Sequence, residues 1–312
     1  MIKQLKKIKI IGGGSSGLIS ALILKSRFNF LNIEIIKSDK IGIIGVGEGS
    51  TEHFIEFMNF CGINYKEFIK ECDATLKIGI LFKDWTKNSY FHNVISAYTK
   101  DTKVGQYYAG YAFNYSKNLP QFSTTDYNYL DNLIPNLDYS DTNGPAKSYH
   151  FNTFKFNEYL IKKCKQKNIK ITDDIICDTI LNEKGEIDHL VGEKSNYKSD
   201  FYIDCTGFKR VLMSKLKPKW VSYSKYLLMN EAIAFPTKDT DEYPPYTLSQ
   251  AMKYGWMWRI PTQGRWGNGY VFNNNYINSD QAKKEVEDFL GYEIDIFKNI
   301  KFDPGCLDKI WI

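Results

Sequence analysis

The run KIKIIGGGSSGLISALILKS, starting at Lys7, constrains this chain more than any other stretch. Ile8 to Ile11 are apolar and predict a strand, Gly12, Gly14 and Gly17 supply the spacing GxGxxG, and Leu18 to Leu24 begin an amphipathic helix. A strand, a glycine turn and a helix in that order form the dinucleotide-binding unit. Gly12 permits the tight turn, Gly14 the close approach of a pyrophosphate, and Gly17 close helix–strand packing, with the helix N–H groups facing the phosphates. A second strand, Asn32 to Lys37, follows at βαβ spacing. The acid expected about 20 residues after the glycines to hold the ribose hydroxyls is missing: Lys37 stands there, with Ser38 and Asp39 as substitutes. The basic start before apolar residues is not read as a signal peptide, because three glycines interrupt the apolar core and no small-residue cleavage site follows. A cytoplasmic protein is expected.

Composition excludes several classes. The 312 residues are 43% hydrophobic and 15% aromatic, enough for a globular core. The 41 basic and 36 acidic residues are interspersed, so no nucleic-acid surface is expected. Six cysteines without a CxxC pair and four histidines without HxxxH spacing predict neither a disulfide framework nor a metal site. No apolar run reaches about 18 residues, so no membrane span is expected.

Beyond the opening, the pattern is interleaved. A glycine-rich loop, Ile41 to Ser50, precedes predicted helices at Thr51–Phe60 and Tyr65–Glu71, and residues 86–150 read as loops and short strands covering a site. Asn152–Lys167 has helical spacing. Ile169–Leu181 and Glu186–Val191 resemble a β-meander turning at Asn182–Gly185. Phe201 to Gly207 reads as a buried strand whose Asp204-Cys205-Thr206-Gly207 ending suits a second approach of backbone to a flavin. In GWMWRIP, Gly255 to Pro261, Trp256 and Trp258 share a face of an extended backbone, and Pro261 is expected to stop the ladder just after them. They form either an aromatic wall or two core indoles of an ordinary strand. Gly267 to Phe272 reads as a turn into a strand.

In chain order, GGGSSG, IGVGEGST (Ile44–Thr51), ATLKIGILFKDW (Ala74–Trp85), YHFNTFKFNEYL (Tyr149–Leu160), FYIDCTGF (Phe201–Phe208), PPYTLSQAMKYGWMWRIP (Pro244–Pro261) and GNGYVFNNNYINSDQA (Gly267–Ala282) make the chain resemble the flavin-dependent tryptophan halogenase family. The resemblance implies an α/β fold: a FAD-binding Rossmann-like domain of flavin-monooxygenase type with an added substrate region. The chain is then one interleaved unit, with FAD-binding parts at about 1–85 and 150–215 and substrate or tunnel parts at about 86–149 and 216–312. By position, Gly12, Gly14, Ser15, Ser16 and Gly17 would hold the FAD pyrophosphate and Ser38 the ribose side. Gly45, Val46, Gly47 and Glu48 would form the strap over the flavin, and Asp204 and Gly207 would meet it from the second turn. Lys77 falls on the family's catalytic lysine. By residue type alone most lysines are solvated strand-edge side chains, but its apolar neighbours Leu76, Ile78, Ile80 and Phe82, together with the resemblance, favour the catalytic role.

The implied activity is halogenation of an electron-rich aromatic. Reduced FAD, supplied by a separate reductase, forms a hydroperoxide that halide attacks, and the resulting hypohalous acid travels to the lysine. Trp256 and Trp258 would stand between flavin and substrate, and Pro261 would belong to the same substrate or tunnel region. Two departures narrow the expectation. The family's substrate-clasping His-x-Phe appears as His92-Asn93-Val94, leaving His92 either a substrate contact or an ordinary histidine. Related sequences also run on past the position of Ile312 into a segment bearing the catalytic glutamate and the halide site. A single-component flavin hydroxylase and a truncated, inactive flavin-binding protein remain as alternatives, and a homodimer is left open.

Overall fold

Strand β1 (Lys7–Ile11) turns Ile8 and Ile10 to one face and Lys9 and Ile11 to the other, the alternation that a pleated backbone imposes. The structure, a computed structural model, describes residues 5–45, 48–51, 53–77, 79–87, 89–93, 148–240 and 243–309, with the backbone alone for 91–93. β1 pairs in parallel with β2 (Asn32–Lys37) and β12 (Phe201–Asp204), and β2 with β8 (Lys170–Asp173), giving the order β12-β1-β2-β8. Parallel neighbours need crossovers, and helix α1 (Ser15–Arg27) is the one between β1 and β2. With α4 (Thr153–Gln166), capped by the Asn152 side chain, it covers the Ile8/Ile10 face, where Leu18, Leu22, Phe156 and Leu160 are fully buried.

The opposite face is covered by an antiparallel sheet of β9 (Ile176–Leu181), β10 (Ile187–Gly192) and β11 (Asn196–Tyr197), which closes a small core of Ile11, Ile36, Leu190, Tyr197 and Leu212. Lys9 and Glu34, register partners on this face, form an ion pair. Burial alone would raise the Glu34 carboxyl, but Lys9, Lys170 and Thr172 hold it at about 2. The expected meander is corrected here. The Asn182–Gly185 turn does join β9 to β10, but β8 leaves them to extend the parallel sheet, because strand pattern does not name a strand's partner.

Helices α2 (His53–Cys61) and α3 (Tyr65–Glu71) add Phe57, Met58 and Phe68 to the helix-side core. Beside them lies a three-stranded antiparallel sheet in which β7 (Ser148–Phe151) is flanked by β3 (Glu48–Gly49) and β4 (Thr75–Lys77). The largest sheet has seven strands in the order β18 (Lys298–Lys301), β14 (Glu231–Thr237), β17 (Arg265–Phe272), β16 (Gly255–Thr262), β15 (Tyr246–Met252), β5 (Gly79–Lys83) and β6 (Tyr90–Asn93). Helix α5 (Ser279–Leu290), begun by an Asn278/Gln281 capping box, packs on one face against Ile233, Met257, Tyr270 and Phe272. A short pair, β13 (Trp220–Ser222) and β19 (Gly305–Leu307), follows outside it. No helix among the described residues is long and apolar enough to cross a membrane.

Two further expectations are corrected. Gly267 and Gly269 lie inside β17, and the chain reverses earlier, around Gly264 at φ +86°. Pro261 does not end the β16–β17 ladder, which continues to Thr262↔Arg265. The Pro261 carbonyl accepts from the Thr75 hydroxyl at 2.7 Å and so points away from β17. The ring nitrogen of a strand residue points the same way as its carbonyl, so the missing N–H removes no bond to β17.

Candidate functional site

The glycine turn is shaped by contacts that leave no room for side chains. Gly12 has φ +116°, and a Cβ there would lie 2.1 Å from the Cys205 carbonyl oxygen at the end of β12. A Cβ on Gly17 would come within 2.0 Å of the Gly12 oxygen, so α1 can approach β1 only with glycine at this position. Gly14 differs: nothing lies within 4 Å of its missing Cβ. It is the N-cap of α1, with no side-chain cap and no acidic residue in the first turn. The Ser15–Gly17 end of the helix therefore presents backbone N–H groups to open space, the environment an anion favours. Asn157 steadies the turn from α4 by donating to the Gly13 carbonyl at 2.7 Å. These features fit the pyrophosphate of a dinucleotide.

The second turn is fixed by Asp204. One carboxylate oxygen accepts from the Thr206 N–H and hydroxyl, the other from the N–H groups of Leu212 and Met213. Gly207, at φ +63°, has open space over its missing Cβ. Ser38 sits just past the end of β2, on the same edge of the sheet as both turns, while Lys37 pairs with Asp39 and packs under Gly13.

A cavity of about 540 Å³ lies elsewhere, against the seven-stranded sheet. Register builds its wall. Thr247 pairs with Ile80, Ser249 with Phe82 on one side and Trp258 on the other, and Ala251 with Trp256. Paired residues share a face, so Ile80, Phe82, Thr247, Ser249, Trp256, Trp258 and Ile260 all project away from α5 into the cavity. The Trp256 and Trp258 ring centroids are 6.0 Å apart, and Trp85 continues the wall 6.2 Å from Trp256, its indole N–H donating to the Ser249 carbonyl. Gly269 makes room for the second indole, since a Cβ there would fall 2.1 Å from the Trp258 ring. The volume is that of a small-molecule site.

Lys77 enters this cavity from the small sheet. In β4 and β7, Leu76, Tyr149 and Phe151 turn into the apolar core, which leaves Thr75, Lys77, Ser148 and His150 on the opposite face. Lys77 is only 4% exposed. Its ammonium donates to the Ser50 carbonyl at 3.0 Å, and among the described residues no carboxylate pairs with it. Burial alone pushes its pKa down to about 8. At the mouth stands Glu48, reached by solvent yet crowded enough by the walls that its carboxyl is raised above the usual range. Gly49 lies beside it, and a Cβ there would come within 3.0 Å of the Lys77 ammonium.

The structure thus brings Lys77, Glu48, Trp256 and Trp258 into one cavity and gathers Gly12, Gly14, Ser15, Ser16, Gly17, Ser38, Asp204 and Gly207 at the ends of the parallel strands. Pro261 lies behind the cavity, bonded to Thr75. Gly45, at φ +59°, is pressed against the Phe154 ring. Val46, Gly47 and Val94 fall outside the described residues, as does the side chain of His92. Sequence reading missed Thr75, His150 and Thr247. Period-2 alternation in TLK and SYHF was the available signal, since it puts Thr75 and His150 on the face that carries Lys77.

The family model for tryptophan halogenase matches residues 7–312, and the chain belongs to that family. It is 26% identical to tryptophan 6-halogenase SttH of Streptomyces toxytricini, over 98% of this chain and 65% of that protein. It is likewise 26% identical to tryptophan 7-halogenase KtzQ of Kutzneria sp. (strain 744), over 99% of this chain and 63% of that one. The crystal structure of tryptophan halogenase from Shewanella frigidimarina NCIMB 400 matches 99% of this chain and 65% of its own, with a TM-score of 0.82 at 25% identity. The chain therefore spans just under two thirds of these relatives' length. The fold is α/β, with a Rossmann-like FAD-binding sheet.

Proposed function

We propose that this chain carries the FAD site and the lysine of an enzyme that halogenates an electron-rich aromatic ring, tryptophan or an indole-like compound. The observation that carries this reading is a desolvated Lys77 amine in a cavity walled by indoles, away from the nucleotide turn. FAD, when bound at Gly12–Gly17 in its reduced form, supplies the oxygen activation that turns halide into hypohalous acid. A separate flavin reductase and a halide ion are the partners this chemistry requires.

Lys77 then has two usable states near neutral pH. As an ammonium it donates a hydrogen bond that orients hypohalous acid toward the ring. As an amine it takes up the halogen, releasing water, and passes the halogen to a ring carbon that loses its proton. A pKa near 8 gives access to both forms, whereas an ordinary lysine is almost wholly protonated at neutral pH. Trp256 and Trp258 provide the stacking surface for an aromatic substrate, and we read them as the barrier that keeps it from the flavin.

The test is halide dependence. With FAD, a reductase and a panel of indoles, pyrroles and phenols, product should form only when bromide or chloride is present, with hydrogen peroxide alone formed in their absence. Mass spectrometry showing a halide-independent gain of one oxygen on the ring would overturn the reading in favour of a hydroxylase.

A further inference from the structure

His150 is fully buried between two threonines, and the hydrogen-bond directions around it are determined. The Thr75 hydroxyl donates to the Pro261 carbonyl at 2.7 Å, which commits its only proton. Towards the His150 Nδ1, 3.3 Å away, the Thr75 oxygen can therefore only accept, so Nδ1 carries the hydrogen. The ring is neutral, because burial and the adjacent Lys77 charge push its pKa well below the ordinary value. Its Nε2 is then a bare acceptor, and the hydroxyl 3.0 Å from it, that of Thr247, must donate. Thr247, with its proton directed at His150, presents only lone pairs to the cavity that it lines.

Those lone pairs lie beside Lys77. A Cβ on Gly49 would be 3.0 Å from the Lys77 Nζ and 3.3 Å from the Thr247 Oγ1, so both groups border the corner that Gly49 leaves clear. One of them, as the ammonium, is a donor without acceptor capacity, and the other is an acceptor without a free proton. That pair matches a small molecule bearing one O–H and an oxygen lone pair. We propose that Thr247 is the positioning residue that accepts the O–H of hypohalous acid beside Lys77, its polarity fixed by the relay Thr247→His150→Thr75→Pro261. The assignment rests on the halogenase reading. The relay decides the outcome because an unrestrained threonine hydroxyl rotates and can donate instead, competing with the lysine for the same oxygen. A bare O–H in a desolvated corner also lacks an acceptor.

The test uses the 312-residue chain with FAD, reductase, halide and an indole, alongside spectra of the protein without flavin. Thr247→Val removes the acceptor at nearly constant shape, and halogenated product per reduced flavin consumed should fall about tenfold, with peroxide making up the difference. Thr247→Ser should recover most of that loss, and Thr247→Ala repeats the comparison if the valine variant does not fold. Two-bond ¹H–¹⁵N spectra of histidine-labelled protein should show His150 protonated at Nδ1 and bare at Nε2 between about pH 6 and 9. In Thr247→Val the Nε2 signal should move towards that of an imine nitrogen without a hydrogen bond. A proton on Nε2, or a valine variant with the parent's ratio of product to peroxide, overturns the proposal. A parent chain that binds no flavin overturns the functional reading and the role of Thr247 with it, while the spectra still decide the relay.

Discussion

The glycine turn and the lysine cavity treat charge in opposite ways. At Gly12–Gly17 the backbone presents uncapped N–H groups at the start of a 13-residue helix, an arrangement that favours an incoming anion before any side chain contributes. At Lys77 a cation is held nearly buried and, among the described residues, no carboxylate balances it, so the charged form is disfavoured and the neutral amine becomes accessible. On the proposed reading, the first site would work by preorganised attraction and the second by withholding compensation. The difference teaches where each is vulnerable. The turn fails when atoms are added to it, the cavity when its single amine is removed or given a partner.

The largest expected effect follows from the cavity. Lys77→Met keeps the side chain's length and loses the amine, and halogenated product should drop by about 100-fold or more while reduced flavin is still oxidised to give peroxide. Loss of flavin binding together with product would instead make Lys77 structural and erase the contrast between the sites.

Next comes a contrast inside the turn itself. Gly17→Ala drives a Cβ into the Gly12 carbonyl, 2.0 Å away, and should destabilise the fold by about 3 kcal/mol, read by denaturant unfolding. A Cβ at Gly14 has nothing within 4 Å beyond its chain neighbours, so the melting temperature of Gly14→Val should stay near the parent's while FAD affinity, followed by flavin fluorescence, falls several-fold. Equal affinity in Gly14→Val would show that the open space over Gly14 is not where the pyrophosphate lies.

The smallest effect is one of pH on stability. The Lys77 pKa is about 8 in the folded chain against an ordinary 10.5. Between these values the unfolded chain holds a proton that the folded one has released, so stability from this group rises with pH across that window. Below about pH 8 the penalty is fully present. The gain amounts to about 1 kcal/mol between pH 8 and 9 and should vanish in Lys77→Met, whose difference from the parent isolates this residue from other titrating groups. Parallel stability curves for the two proteins would mean that Lys77 is solvated after all.

Local segments were legible because their physics is local. The spacing of Gly12 and Gly17, the strand Asn32–Lys37 and the helix Tyr65–Glu71 appear where the sequence puts them, since a turn needing φ above zero and a short apolar period are set by adjacent residues. The shared face of Trp256 and Trp258 is equally a property of one extended strand. Pairing was not legible. β8 has the composition of a meander strand yet joins β2, and Pro261 continues a ladder it was expected to close, because partner and hydrogen-bond direction are chosen by the whole sheet. The sequence by itself determined that Lys77 sits among apolar neighbours. Only the tertiary structure decided that it is desolvated and that His150, Thr75 and Thr247, far apart in the chain, lie behind and beside it. Burial and hydrogen-bond polarity depend on strands that meet across more than 70 residues, and those contacts, not residue type, set a pKa or turn a hydroxyl into an acceptor.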